Sequence, residues 1–251
     1  MLGNLPSPMQ RAIKRSLGWI GRTLQIVPIG SLLSEDVRRR LPCEDIRLIF
    51  DVGANVGQST KGFLVNYPNA AIYSFEPSPN TFSKLRSATQ HISRVQAYNL
   101  ALGDRAAILR FDCNNSASES HHIAANQLDT TLPSVHVSTI ADFCVEHNIS
   151  HIDYLKIDTE GYDLNVLAGA ASMLRTSAIG LVVVECSMNP DNEFHTAFSK
   201  VYDLMSLNGY RLFGIYEQVE EIVVLVPNIR RANVAFLSPQ TIQRNRRIDF
   251  H

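Results

Sequence analysis

The sequence predicts an α/β protein built on a doubly wound parallel sheet, and three observations carry that prediction. From residue 47 onward, short apolar runs alternate with segments of helical length, the rhythm of a parallel sheet with crossover helices. The first run feeds a tight glycine turn: residues 49–60 read IFDVGANVGQST, with Gly53 and Gly57 four apart. Glycine lets the backbone approach a ligand closely, and the helix that follows offers its first N–H groups to whatever lies above. Acidic residues close four of the apolar runs, at Asp51, Glu76, Asp158 with Glu160, and Glu185. Ligands of such sheets bind beyond the carboxyl ends of the strands, so four acids there beside a glycine turn point to a binding site.

Taken in order, residues 47–52 form the first strand, and a helix runs from beyond Gly57 to about residue 66, stopped by Tyr67, Pro68 and Asn69. Residues 71–75 form the second strand, ending at Glu76, and Pro77, Ser78 and Pro79 turn the chain into a helix over 81–90. The third strand, 95–100, runs into Ala101, Leu102, Gly103 and Asp104, and 106–112 reads as an extra strand paired with it as a hairpin through 103–105. Residues 114–134, rich in Asn, Ser, His and Thr, read as a long loop. Order resumes with a strand over 135–137, a helix over 139–147 and a strand over 154–157. A helix spans 164–174, and 180–184 is the most apolar strand, as a central strand covered on both faces requires. After a polar loop at 187–193 come a helix over 194–207, a strand over 210–216 and a last strand over 233–237, with 222–226 competing for that place. The domain organisation expected is a helical extension over 1–46, the main domain over 47–240 and a tail over 241–251.

Composition narrows the functional classes. A chain of 251 residues builds a core that needs no disulfides, and its 23 Lys and Arg against 24 Asp and Glu argue against a general nucleic-acid-binding surface. Cys43, Cys113, Cys144 and Cys186 are widely spaced, with no CxxC pair, so reduced cysteines in a cytoplasmic protein are expected rather than a zinc or redox site. No run of about 18 apolar residues suggests a membrane span. Near the N-terminus, Arg11, Lys14, Arg15 and Arg22 alternate with Ile13, Leu17, Trp19, Ile20 and Leu24 as a basic amphipathic helix. Such a helix packs on the main domain or rests peripherally on an anionic membrane. A secretory leader fits poorly, because Arg22 interrupts the apolar part.

The glycine turn discriminates between ligands. A dinucleotide site uses G-x-G-x-x-G, and here the middle glycine is missing; no Gly-Lys-Ser/Thr follows, which excludes a P-loop. Glu76, 25 residues after Asp51 at the end of the second strand, is placed to accept hydrogen bonds from both hydroxyls of a ribose. The expected ligand is a nucleoside without a pyrophosphate.

DVGANVG, SFEPSP, NLALGD and LKIDTEGYDLNVLAGA, in this order and spacing, resemble the FkbM family of S-adenosylmethionine-dependent methyltransferases over residues 47–237. The resemblance implies the Rossmann-like, seven-stranded sheet of class I methyltransferases with a reversed last strand. It also implies methyl transfer to a hydroxyl of a sugar, glycan, polyketide or other glycosylated metabolite. Carried onto this chain, Asp51, Gly53, Asn55 and Gly57 would surround the methionine end of the cofactor and Glu76 would hold its ribose. Ala101, Leu102 and Asp104 would lie near the adenine, and Asp158 would face the methionine ammonium or the reacting centre. An acidic pocket suits a positive sulfonium and repels the phosphates of a nicotinamide dinucleotide.

An alcohol acceptor must also lose a proton. Candidate bases are His195, His121 or His122 in the long loop, and the carboxylates Asp158, Glu160 and Glu185, histidine having the suitable pKa. A divalent metal between Asp158 and Glu185 is the less favoured alternative, since Cys186 and Ser187 follow Glu185 in place of further ligands. Two other readings remain open at this point: a nicotinamide-dependent dehydrogenase, disfavoured by the glycine spacing, and a non-catalytic binding protein of the same fold.

Overall fold

Apolar alternation and glycine placement build the elements in a computed structural model that describes residues 28–112, 122–123, 134–189, 191–192, 194–221 and 226–246. The first half contains α1 (Leu33–Arg40), β1 (Leu48–Val52), α2 (Gln58–Asn66), β2 (Ala71–Phe75), α3 (Pro79–Thr89) and β3 (Val95–Tyr98). Four strands then form a small side sheet: β4 (Ala101–Leu102), β5 (Ala107–Asp112), β6 (His122–Ile123) and β7 (Ser134–Ser138). The second half contains α4 (Ile140–Glu146), β8 (Ile152–Ile157), α5 (Asp163–Gly169), α6 (Ala171–Arg175), β9 (Ile179–Ser187), α7 (Phe198–Leu207), β10 (Arg211–Glu221), β11 (Val226–Leu237) and α8 (Pro239–Arg244).

The main sheet has seven strands in the order β10-β11-β9-β8-β1-β2-β3. All neighbours from β3 to β9 pair in parallel, while β11 is antiparallel to both β9 and β10, so one strand is reversed. This is the Rossmann-like, seven-stranded order with a reversed last strand that the resemblance implies. Its switch point lies between β1 and β8, where successive strands begin to be laid down on the opposite side.

Side chains alternate across the sheet into two cores. Phe50, Phe75, Leu155, Val182 and Phe236 meet Phe143 of α4, Leu167 of α5 and Met205 of α7 on one face. Ile49, Ile72, Tyr154 and Val183 meet Val37 of α1 and Phe63 of α2 on the other. Every residue of β9 is buried, as its unbroken apolar run requires. The described part of the N-terminal extension is tied to the sheet: Asp36 of α1 accepts from the Tyr216 hydroxyl at 2.8 Å, and the Arg40 guanidinium lies 4.0 Å from the Phe213 ring centroid. At the other end α8 crosses the expected boundary at residue 240, and its Arg244 pairs with Glu44.

Four expectations are corrected. Residues 106–112 do not form a hairpin with the preceding strand, because β7 lies between: it pairs in parallel with β4 and antiparallel with β5. Val135 and Val137 of β7 are buried whereas Ile108 of β5 is 66 % exposed, so the better apolar alternation took the inner place. The expected helix over 164–174 breaks at Ala170 into α5 and α6. The helix expected from residue 194 begins only at Phe198, because Ser187 N–H donates to the Thr196 carbonyl and Ala197, extended, bridges Ser187 at the end of β9. Finally, two strands outrun their expected bounds: β9 continues through Glu185 to Ser187, and the last strand, β11, runs from Val226 to Leu237 and so takes in 233–237, while 222–225 lie outside the described residues.

The amphipathic segment 11–24 lies outside the described residues, as do Cys113, His121 and most of the expected loop at 114–134; within that loop His122–Ile123 pairs with β5. Among the described residues no helix is long and apolar enough to cross a membrane, and Cys43, Cys144 and Cys186 are free thiols.

Candidate active site

The glycine turn stands at the switch point and is locked from three sides. Gly53 has φ +79°, and a Cβ there would sit 1.9 Å from the Asp158 carbonyl oxygen, so only glycine lets the β1 and β8 loops touch. Gly57 has φ +93° and caps α2. The turn's N–H groups point inward rather than to a ligand. Gly53 and Ala54 both donate to the Phe75 carbonyl, Gly57 donates to Ala54, and Asn55 donates to Glu76 Oε2 at 3.0 Å.

Glu76 is therefore part of the turn. Its other oxygen accepts from Ser78 N–H at 2.9 Å, and the side chain is 6 % exposed. Burial pushes its pKa up to about 7, against the pull of those two N–H groups and with help from the Asp51 charge. Two accepted bonds leave capacity on a carboxylate for two more donors. The Asn99 amide, a residue the sequence reading passed over, braces this loop by donating to the carbonyls of Glu76 and Pro77 at 2.9 Å each.

Asp51 is turned beneath the site, not into it. It is wholly buried, accepts from Ser59 and Thr60 at 2.7 Å each, and is held above its usual pKa by desolvation. Its β1 position faces α2, so it anchors the helix rather than lining the cleft. Leu102 is likewise buried in the core, leaving only its backbone for contact, while Ala101 is half-buried and Asp104 sits 3.4 Å from Arg105.

On the α1 and α2 face, a cleft of about 580 Å³ opens from Gly53, Asn55 and Asp158 along the sheet to β10 and β11. Lys156 projects from β8 into it and donates to Asp158 at 2.8 Å. Burial pulls this ammonium down, but Asp158 and Asp51 outweigh it and hold its pKa above the usual value. Glu185 also lines the cleft; His195 Nε2 lies 3.0 Å from its Oε2, and Arg231 of β11 binds its Oε1. His195 Nδ1 faces the Asn192 amide nitrogen at 3.1 Å, so both ring nitrogens have partners. Asp163 welds this region together: it accepts from Thr159 N–H and hydroxyl, from Gly161 N–H, and from the Thr196 hydroxyl at 2.8 Å, joining the loop after β8 to the loop carrying His195.

The structure thus brings Gly53, Asn55, Asp158, Glu160 and Glu185 to one cleft, with His195 behind Glu185 and Glu76 bonded to the turn. Arg231, Asn233, Glu217 and Lys156 were not singled out from the sequence. Lys156 stood in the KIDTEG motif, and the others come from strands whose register the sequence does not specify. Among the described residues no group of three or more His, Cys, Asp or Glu is arranged to hold a metal, and Glu185 already carries a guanidinium and an imidazole on its two oxygens. The glycine cradle and the unsaturated Glu76 carboxylate fit a ribose-bearing ligand approaching between β1 and β2.

Comparison with known proteins agrees with this architecture. A family described as the methyltransferase FkbM domain matches residues 51–212. Methyltransferase 1 of Beauveria bassiana is 32% identical over 149 residues, 51% of this chain and 60% of that protein. The 2-O-methyltransferase NoeI of Sinorhizobium fredii is 25% identical, covering 51% of this chain and 58% of that one. Hexuronic acid methyltransferase AglP of Haloferax volcanii is 22% identical, covering 62% and 64%. The match spans about three fifths of the length of each relative. With the family's domain matching well over half of its length, on a sheet of the expected strand order, the chain belongs to the FkbM methyltransferase family.

Proposed function

We propose that the protein is an S-adenosylmethionine-dependent O-methyltransferase acting on a hydroxyl of a sugar, glycan or glycosylated metabolite, with residues 47–240 as its catalytic domain. The observation that carries this reading is the Glu76 carboxylate, buried at the end of β2 and bonded to the glycine turn with two acceptor positions to spare. Those positions suit the two ribose hydroxyls, and Gly53 gives the methionine half its close approach. Ala101, Leu102 and Asp104 follow β3 and border the adenine through backbone and side-chain edge. Asp51 supports the turn through α2. Gly57 ends it. Asp158, fixed by Lys156 and lining the cleft beside Gly53, faces the methionine ammonium. The names of the relatives support the acceptor class.

Bound there, the cofactor supplies a methyl group on a positive sulfur, which leaves as a neutral thioether once an oxygen attacks in line. The chain aligns the acceptor oxygen, excludes water and removes the hydroxyl proton. His195 is the proton acceptor in this reading. Glu185 lines the cleft and binds Nε2 of His195, so the proton leaving the acceptor hydroxyl passes to His195 through this pair, with Asn192 holding Nδ1 and so the ring. Arg231 binds the other Glu185 oxygen and fixes the carboxylate against His195.

Two titrations and one assay test the proposal. S-adenosylhomocysteine is expected to bind by calorimetry and NADH is not. Radiolabelled methyl from S-adenosylmethionine is expected in a glycoside acceptor. Tight NADH binding with none for S-adenosylhomocysteine would overturn the reading.

A further inference from the structure

The cleft has a wall that methyl-donor binding leaves without a role. It is built by the β10–β11 hairpin, where the Asn233 amide donates to Glu217 Oε2 at 2.5 Å. Asn233 is 8 % exposed, and its Oδ1 has no donor among the described residues. The Tyr67 hydroxyl, from the α2 side of the same cleft, is also buried without a partner among them. Buried polar atoms are nearly always satisfied, so two such atoms in residues of one cleft suit a polar ligand.

Backbone strain gathers at the same place. Asn55 at φ +50°, Glu160 at +50° and Glu217 at +49° are non-glycine residues in the left-handed region, and all three line this cleft. The other two described cases, Asn148 and Ser177, follow the ends of α4 and α6, where helix caps commonly adopt that conformation. Conformations of this kind persist where surrounding structure holds them, and they cluster at ligand sites. The charges are unbalanced as well. Asp158, Glu160, Glu185 and Glu217 share the cleft with Lys156 and Arg231. Asp158 is paired with Lys156 and Glu185 with Arg231, Glu160 forms no ion pair among the described residues, and Glu217 meets the Lys156 charge only at longer range, so the cleft keeps an excess of negative charge.

We propose that this wall selects the acceptor: Glu217 and Asn233, together with Glu160, receive hydrogen bonds from acceptor hydroxyl or ammonium groups and repel a carboxylate. The acceptor is accordingly a neutral or amine-bearing polyol, and a uronate is rejected. This inference rests on the methyl-transfer reading, because it takes the cleft beside the glycine turn as the acceptor site.

The test uses the full chain saturated with S-adenosylhomocysteine and three probes, methyl glucoside, glucosamine and glucuronate, with binding read by saturation-transfer NMR in wild type and Glu217→Gln. Glucosamine is expected to bind more tightly than methyl glucoside, and methyl glucoside about tenfold more tightly than glucuronate, the scale of one charge near a protein surface. Glu217→Gln removes most of the preference for glucosamine over methyl glucoside and leaves the S-adenosylhomocysteine affinity within about twofold, since no cofactor contact changes. Glucuronate binding as tightly as the neutral sugar, an unchanged preference in Glu217→Gln, or no binding by any probe overturns the inference while leaving methyl-donor binding intact. Failure of S-adenosylhomocysteine to bind overturns the methyl-transfer reading and this inference with it.

Discussion

Cofactor affinity is expected to depend on pH through Glu76. The carboxylate is 6 % exposed, and burial raises its pKa to about 7 in the free protein. Ribose hydroxyls donate to it, so binding requires the ionised form, and below that pKa each pH unit removes a factor of about ten from the ionised fraction, or about 1.4 kcal/mol. Calorimetric titration with S-adenosylhomocysteine should give affinity that is level above about pH 8 and about tenfold weaker at pH 6. Glu76→Gln should weaken binding at pH 8 by about 1 to 3 kcal/mol, the range for a lost charge-assisted hydrogen bond, and should flatten the pH profile. Stability follows the same group with the opposite sign. A carboxyl whose folded pKa is raised contributes stability that is fully present below its unfolded pKa of 4.5 and is lost as pH rises through about 7. That contribution is about 3 kcal/mol, so the melting temperature of the free protein should fall across this window and bound ligand should offset the fall. A wild-type affinity that stays constant from pH 6 to pH 8, or a Glu76→Gln variant with the same slope as wild type, would refute the reasoning.

Three further perturbations separate the parts of the site. Gly53→Ala places a methyl group 1.9 Å from the Asp158 carbonyl at a positive φ, so it should destabilise the fold by roughly 3 kcal/mol in urea and abolish cofactor binding; a folded variant with normal affinity would contradict the turn's role. His195→Gln should lower kcat by about 10² to 10⁴ while S-adenosylhomocysteine affinity is unchanged, and an unaltered kcat would remove it as the base. Asp163→Asn reverses a hydrogen-bond hub with four donors, so it should cost about 1 to 3 kcal/mol in stability and lower kcat more than cofactor affinity; a variant that changes only affinity would place Asp163 elsewhere in the mechanism.

Much of the fold was legible because local signals agreed with tertiary demand. The second strand, residues 71–75, and the end of α2 at Asn66 fell where the apolar runs and the Tyr67-Pro68-Asn69 stop placed them. The continuous apolarity of 180–184 marked the strand with two covered faces. Where the reading failed, a partner remote in sequence decided. β7 displaced an apparent hairpin because its valines buried better, and the loop before α7 stayed extended because Ser187 holds Thr196. That Gly53, Asn55 and Glu76 come together at the turn was legible, since they sit within one supersecondary unit. Asp51 could be found but not oriented, since whether a strand residue faces a helix or a cleft depends on packing. The β10–β11 side of the cleft was not legible: Arg231, Asn233 and Glu217 reach it only through the antiparallel register that sets Asn233 opposite Glu185.

That reversed strand has an architectural consequence. Because β11 runs against its neighbours, the ligand edge receives residues from early in the strand, and Arg231 and Asn233 meet Ser187 and Glu185 there while Leu237 meets Leu181 deep in the core. One strand thus carries two duties: its first rungs furnish polar side chains to the cleft, and its last rungs are clamped between β9 and β10 in the apolar core.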